Sequence, residues 1–76
     1  MDDKRRNSLR EALRHLSSVS TILGQVSDKE RDCVDNYPEN LQGTDTYERM
    51  ERAAEDLEEA IEKIDEAIEL IESAAR

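Results

Sequence analysis

The chain has 76 residues and carries 20 acidic against 11 basic side chains, for a net charge of −9. That length allows one small domain, and the negative charge argues against direct binding to nucleic acid or to an anionic membrane surface. No apolar run approaches the ~18 residues of a membrane span, and none follows the basic N-terminal residues as in a signal peptide. The single cysteine, Cys33, cannot form an internal disulfide bond, so we expect a reducing, cytoplasmic location.

A first helix is predicted over about residues 3–36, because apolar side chains recur there at alternating three- and four-residue spacing. Its stripe, which includes one charged residue, consists of Leu9, Ala12, Leu16, Val19, Leu23, Val26, Glu30, Cys33 and Tyr37, with Leu13 and Val34 widening it. Asp2 or Asp3 can cap the start of this helix, while Ser8 with Glu11 forms a later capping-box pattern. We place the start near Asp3.

Residues 37–44 are predicted to form a turn, because they contain the only proline and one of the two glycines. Pro38 disfavours helical backbone at Tyr37, and Gly43 can adopt a positive φ without a steric penalty. Leu41 is placed to cover the end of the core.

A second helix is predicted over about residues 45–75, where the same spacing runs without interruption and is typical of a coiled coil. Its stripe consists of Tyr47, Met50, Ala54, Leu57, Ile61, Ile64, Ile68, Ile71 and Ala75. A row of alanines widens this apolar face and consists of Ala53, Ala60, Ala67 and Ala74. Thr44 and Asp45 are both candidates for the N-cap residue.

The distribution of charge favours antiparallel packing of the two helices. Residues 1–36 carry seven bases and seven acids, whereas residues 44–76 carry four bases and twelve acids, a net charge of −8. A chain that folds back at residues 37–44 places the basic start of the first helix beside the acidic end of the second. We therefore predict an all-α, antiparallel two-helix hairpin that forms a single domain over residues 1–76.

The core of such a hairpin is small, since a single core in a chain below ~70–80 residues rarely supplies more than ~3–5 kcal/mol. The stripe and the alanine row together form a face wider than one partner helix needs. We therefore expect a homo-oligomer, most simply a two-fold dimer that forms a four-helix bundle, with a trimer or tetramer as the alternative.

Glu30 is the one charged residue on the stripe of the first helix. Reflecting the chain about its turn sets the two tyrosines against each other and places Glu30 near Ala54. The small alanine leaves room for the carboxylate either to reach a base such as Arg49 or Arg52 or to extend into water.

Carboxylates cover the remaining surface of the second helix. The candidate partner-binding face consists of Glu55, Glu58, Glu62, Glu66 and Glu69. Side chains three and four residues apart are neighbours on a helix, so this face imitates the charge of a nucleic-acid backbone and suits a basic protein. The alternative is a solvated surface without a partner. A metal site is not expected, because the only histidine, His15, has Glu11 as its single acidic neighbour at helical spacing.

A second candidate site is a row of small residues on the first helix, Ser17, Ser20, Gly24 and Ser27. This row predicts a close helix–helix contact, and the alternative is a groove for a nucleotide or another anion, with Arg10 and Arg14 nearby. The sequence contains no glycine-rich phosphate loop, nucleophile–histidine arrangement or Cys/His metal cluster, so we expect neither enzymatic activity nor a cofactor.

The turn has the sequence Asp-Asn-Tyr-Pro-Glu-Asn-Leu-Gln-Gly, from Asp35 to Gly43, and precedes a helix rich in Glu, Ala and Ile. It resembles a group of small, uncharacterised helical-hairpin proteins of Gram-positive bacteria and their phages, which carry an Asn-x-Pro-Glu-Asn-Leu-Gln turn between two helices. The resemblance implies a cytoplasmic, phage-linked protein, and it implies no particular activity.

Three functional hypotheses follow from these observations. The favoured one is a non-enzymatic, acidic interaction module, with an inhibitor of a nucleic-acid enzyme or of a defence system as its phage-linked form. The second is an oligomeric small-molecule binder that uses the row of small residues. The third is a purely structural coiled-coil module.

Overall fold

The computed structural model describes residues 1–76 and consists of two long helices joined by a short turn. Helix α1 comprises Asp3–Asp35 and helix α2 comprises Asp45–Ala75, with a single 3-10 turn, Glu39–Leu41, between them. The two helices pack side by side in opposite directions. The predicted all-α hairpin is confirmed, and the predicted helix bounds agree with the observed ones to within one residue.

Side-chain caps define where both helices begin. The Asp2 carboxylate accepts a hydrogen bond from the backbone N–H of Arg5 at 2.8 Å, so α1 begins at the earlier of the two predicted positions. The Thr44 hydroxyl accepts a hydrogen bond from the backbone N–H of Tyr47 at 3.4 Å and caps α2. Each cap satisfies a backbone donor that has no partner within the helix.

Local hydrogen bonds stabilise the turn. The Asn36 side-chain amide donates to the Asp32 carbonyl at 2.8 Å, and the Leu41 N–H donates to the Pro38 carbonyl at 2.9 Å. Leu41, in the 3-10 turn, is 40% exposed, so it covers the end of the core only in part. Gly43 does not adopt the positive φ that its sequence position allowed.

Contacts between the helices define their register. The rings of Tyr37 and Tyr47 lie with their centroids 5.5 Å apart at the turn end of the core. Farther along the hairpin, the Ser20 hydroxyl donates to the Asp65 carboxylate at 3.1 Å. Facing residues therefore have numbers that add to 84 at the tyrosines and 85 at Ser20, which agrees with the register expected from reflection about the turn.

The side of α2 that faces α1 is the predicted stripe. All nine residues of that stripe are buried or half-buried, and Ala54 has no exposed surface. The strict three- and four-residue spacing therefore identified the contact face of α2 correctly.

The side of α1 that faces α2 departs from the predicted stripe at Val19, Val26 and Cys33. The shared positions are Leu9, Leu16, Leu23, Glu30 and Tyr37, all half-buried. The alternate positions are Leu13 and Val34, which were predicted to widen the stripe, and Ser20 and Ser27, which belong to the row predicted to make a close helix contact. Two overlapping stripes share every seventh residue of α1, and contact with α2 selects the one that contains two serines. As a result, Val19, Val26 and Cys33 are exposed.

Glu30 lies half-buried on the observed contact face, and of its two expected courses the ion pair with Arg49 or Arg52 is absent. No basic side chain lies within 4.0 Å of its carboxylate. Arg49 and Arg52 are exposed on α2 and do not reach it. The ion pair between the helices is formed instead by the next residue, Arg31, with Glu58.

The hairpin is long, thin and incompletely packed, with Cα extents of 59 × 15 × 13 Å. Ser27, Val34 and Ala54 are its only buried residues, and no large side chain is fully buried. The accessible surface is 5804 Å², whereas a compact monomer of this mass exposes about 4,700 Å². Neither helix combines the length and the apolar character needed to cross a membrane.

Candidate functional site

One flank of the hairpin is charged. Arg31 of α1 meets Glu58 of α2 there, with its Nη2 and Nε atoms 2.7 and 2.9 Å from the same carboxylate oxygen. Each of these two residues immediately follows a residue on the contact face, Glu30 in α1 and Leu57 in α2. Glu58 was predicted as part of the partner-binding face, and in the structure it pairs with Arg31 of α1 instead of standing free.

The Arg31–Glu58 pair orients the helices more than it stabilises them. The hydrogen bond to Glu58 raises the pKa of Arg31, desolvation opposes this rise, and the charges of Glu58, Asp35 and Glu55 add to it. The guanidinium therefore remains charged under all ordinary conditions. The two side chains are 35% and 50% exposed, so water screens their attraction substantially.

The other four residues of the predicted acidic face remain free. These residues are Glu55, Glu62, Glu66 and Glu69. All four are exposed, and no basic side chain lies within 4.0 Å of any of them. The set extends over about 21 Å of helix, at a rise of 1.5 Å per residue. The hairpin thus presents an unneutralised carboxylate row on the outer side of α2, which we call the acidic row.

A surface depression of about 280 Å³ lies at the turn end of the acidic row. Its lining consists of Glu48, Glu51, Arg52 and Glu55, with no hydrophobic side chain. Three carboxylates repel an anionic ligand, and the absence of an apolar wall leaves no surface on which a nucleotide base can stack. The chemistry of this depression matches a basic side chain from a partner better than a nucleotide.

The row of small residues on α1 is divided between two environments. Ser27 is 6% exposed against α2, and Ser20 is bonded to Asp65, so both lie in the helix–helix contact. Ser17 and Gly24 lie beside that contact, and a Cβ atom built on Gly24 would meet no other atom within 4 Å. The predicted close contact thus involves the two serines and not the glycine, and the four residues do not form one continuous groove.

The remaining chemically reactive side chains stand apart. His15 Nε2 lies 3.9 Å from the Glu11 carboxylate, and both residues are exposed. Cys33 is exposed and unpaired. No three His, Cys, Asp or Glu side chains are grouped so that they could hold a metal ion.

Sequence reasoning missed Arg31, which forms the ion pair between the two helices. A signal for it exists in the seven-residue repeat. In α1, four residues come directly after a contact residue: Arg10, Ser17, Gly24 and Arg31. In α2, the residues in the corresponding positions are Glu51, Glu58, Asp65 and Glu72. Rows of this kind meet in an antiparallel helix pair, so Arg31 is paired once the contact face of α1 is known.

No protein-family model, curated protein or solved structure matches this chain. The fold and the surfaces described above define a two-helix hairpin with a charged flank and an acidic outer row.

Proposed function

We propose that this protein is a non-enzymatic interaction module that presents its acidic row to a basic surface of another protein. The observation that supports the proposal is the set of free, exposed carboxylates on α2, which no base of the hairpin neutralises.

The density of negative charge suggests which kind of partner fits. The acidic row holds four carboxylates over about 21 Å, and all sides of α2 together carry twelve acidic residues over 31 residues, or about one per 4 Å of helix length. A single strand of B-DNA carries one charge per ~3.4 Å. We infer that the natural partner is a protein with a basic nucleic-acid-binding surface, which this module blocks. Such a protein acts in the cytoplasm, where the exposed Cys33 thiol stays reduced.

The test compares two variants of equal net charge. One variant carries Lys in place of all four residues of the acidic row, and Glu58 is left intact because it pairs with Arg31. The control carries Lys in place of four exposed acids of α1, namely Glu11, Asp28, Asp32 and Asp35. Each replacement of an acid by lysine raises the net charge by two, so four replacements change it from −9 to −1 in both variants. Proteins that the wild-type chain captures from a bacterial lysate are then offered to each variant.

We expect the captured partner to bind the control variant and to be lost by the acidic-row variant. Duplex DNA should displace it, and 500 mM salt should release it, because exposed charges are screened over ~10 Å already at 0.1 M. Equal binding by both variants, or a complex that persists unchanged at 500 mM salt, would refute the acidic-row mechanism.

A further inference from the structure

The flank opposite the Arg31–Glu58 pair is apolar. Apart from Met1 at the chain end and Leu41 in the turn, the exposed large apolar side chains are Val19, Ile22, Val26 and Leu70, at 41%, 58%, 45% and 72% exposure. None of these four contributes to the contact between α1 and α2. The apolar side chains left outside that contact therefore need a common explanation.

The seven-residue repeat places these residues on one side of the hairpin. Val19 immediately precedes a contact residue of α1, as Ala60 and Ala67 immediately precede contact residues of α2. Arg31 and Glu58 follow contact residues, so they mark the opposite flank. The surface that we call the apolar flank consists of Val19, Ile22, Val26, Ala60, Ala67 and Leu70, with one exposed charged residue, Lys63, between the two alanines.

We propose that a second copy of this chain packs on the apolar flank, with the turns of both copies at the same end. In this arrangement α1 of each copy lies on α2 of the other, and every neighbouring pair of helices in the resulting four-helix bundle is antiparallel. The proposal is independent of the acidic row, which stays on the outer side of the bundle.

The side of the hairpin that carries the apolar flank is large enough for the interface of a stable dimer. The hairpin exposes about 1,100 Å² more than a compact monomer of its mass. The side of the hairpin that carries the apolar flank is as long as α2, which has 31 residues, or ~46 Å, and is two helices wide, or ~20 Å, so its area is about 930 Å². The apolar flank itself occupies about 17 Å of that length. A stable dimer buries about 600–1,000 Å² on each partner. One second copy therefore accounts for the exposed apolar surface.

Side-chain size supports contact between unlike helices. At the observed register, Val26 lies within two residues of the level of Ala60, and Val19 lies within two residues of the level of Ala67, whereas Ile22 lies level with Lys63. In the proposed dimer the larger valine side chains of α1 therefore meet the small alanine side chains of α2 from the second copy. Large residues facing small ones interdigitate at the density of a protein interior.

Charge also favours this arrangement. Lys29 of α1 and Asp56 of α2 are exposed, have no ion-pair partner within the hairpin and lie within about two residues of the same level. The proposed dimer sets Lys29 of one copy beside Asp56 of the other. With the turns at opposite ends, α2 of one copy would instead pack on α2 of the other. Residues 44–76 of each copy carry a net charge of −8, so these two helices would repel each other.

Disulfide cross-linking of the full chain tests the proposal, in a Cys33→Ser background. We expect a Val26→Cys variant mixed with an Ala60→Cys variant to form a mixed disulfide dimer, while neither variant alone does so at the same rate. Rapid self-linking of the Val26→Cys variant would mean that α1 packs on α1, which would overturn the proposed arrangement. A folded monomer at micromolar concentration that does not cross-link in either experiment would overturn the dimer itself.

A charge exchange provides a second measurement that does not disturb the core of the hairpin. Lys29→Asp should weaken dimerisation measured by sedimentation equilibrium, and adding Asp56→Lys should restore it. Ile22→Glu should weaken dimerisation by at least about 100-fold, since a charge replaces an apolar residue in both halves of the interface. Ser18→Glu, which adds the same charge outside the apolar flank, is the matched control. Failure of the exchange to restore the dimer, or an equal effect of the control, would contradict the proposal.

Discussion

Replacement of Glu30 by leucine tests the description of the contact between the helices. Glu30 is half-buried on the contact face of α1, yet no base lies within 4.0 Å of its carboxylate. Its burial therefore costs free energy that no ion pair returns. The Glu30→Leu variant removes that cost and adds apolar contact with α2, so we expect the free energy of unfolding to rise.

The magnitude follows from the degree of burial. A fully buried leucine side chain contributes about 1.5–3 kcal/mol relative to an exposed one, so a half-buried leucine contributes about 1 kcal/mol. For a chain of this size, 1 kcal/mol corresponds to a rise in Tm of about 4–8 °C. Helical circular dichroism at 222 nm, followed through thermal and urea unfolding at one fixed protein concentration, measures both quantities.

The matched control is Glu59→Leu, because Glu59 is exposed on the same hairpin and its removal changes the net charge by the same amount. Any gain from reduced charge repulsion is common to both variants, so the difference between them isolates the contact face. If Glu30→Leu lowers the stability, or raises it no more than the control does, Glu30 has a favourable partner and the contact face is described incorrectly.

Two further substitutions probe the same contact. Gly24→Ala should stabilise α1 by about 1 kcal/mol, because alanine is the better helix former and its Cβ would meet no atom within 4 Å; a loss of stability in urea unfolding would show that the helices approach closely at Gly24 after all. Ile64→Asp, on the contact face of α2, should destabilise the fold by at least about 3 kcal/mol, because it places an unpaired charge in the core. Ser73→Asp is its exposed control, and similar unfolding curves for these two variants would argue against the observed orientation of α2.

The sequence alone was sufficient to predict most of the fold. Pro38 and the local turn residues interrupt the helical pattern, and Asp2 and Thr44 supply side-chain caps, so the helix bounds follow from short-range physics. The contact face of α2 was also predictable, because only one apolar stripe runs along that helix without interruption. The free carboxylates of the acidic row follow from the same stripe, since they lie away from it.

Only the tertiary structure decided which side of α1 faces α2. Helix α1 carries two overlapping stripes that share every seventh residue, and hydrophobicity alone favours the stripe with Val19 and Val26 over the one with Ser20 and Ser27. Helix packing depends on size and hydrogen bonding as well, and the serines are small enough for close approach, while Ser20 gains a bond to Asp65. That choice places Glu58 in an ion pair with α1, and it leaves the valines on an exposed flank. A sequence pattern lists the apolar faces of a helix, whereas the partner helix determines which of them is buried.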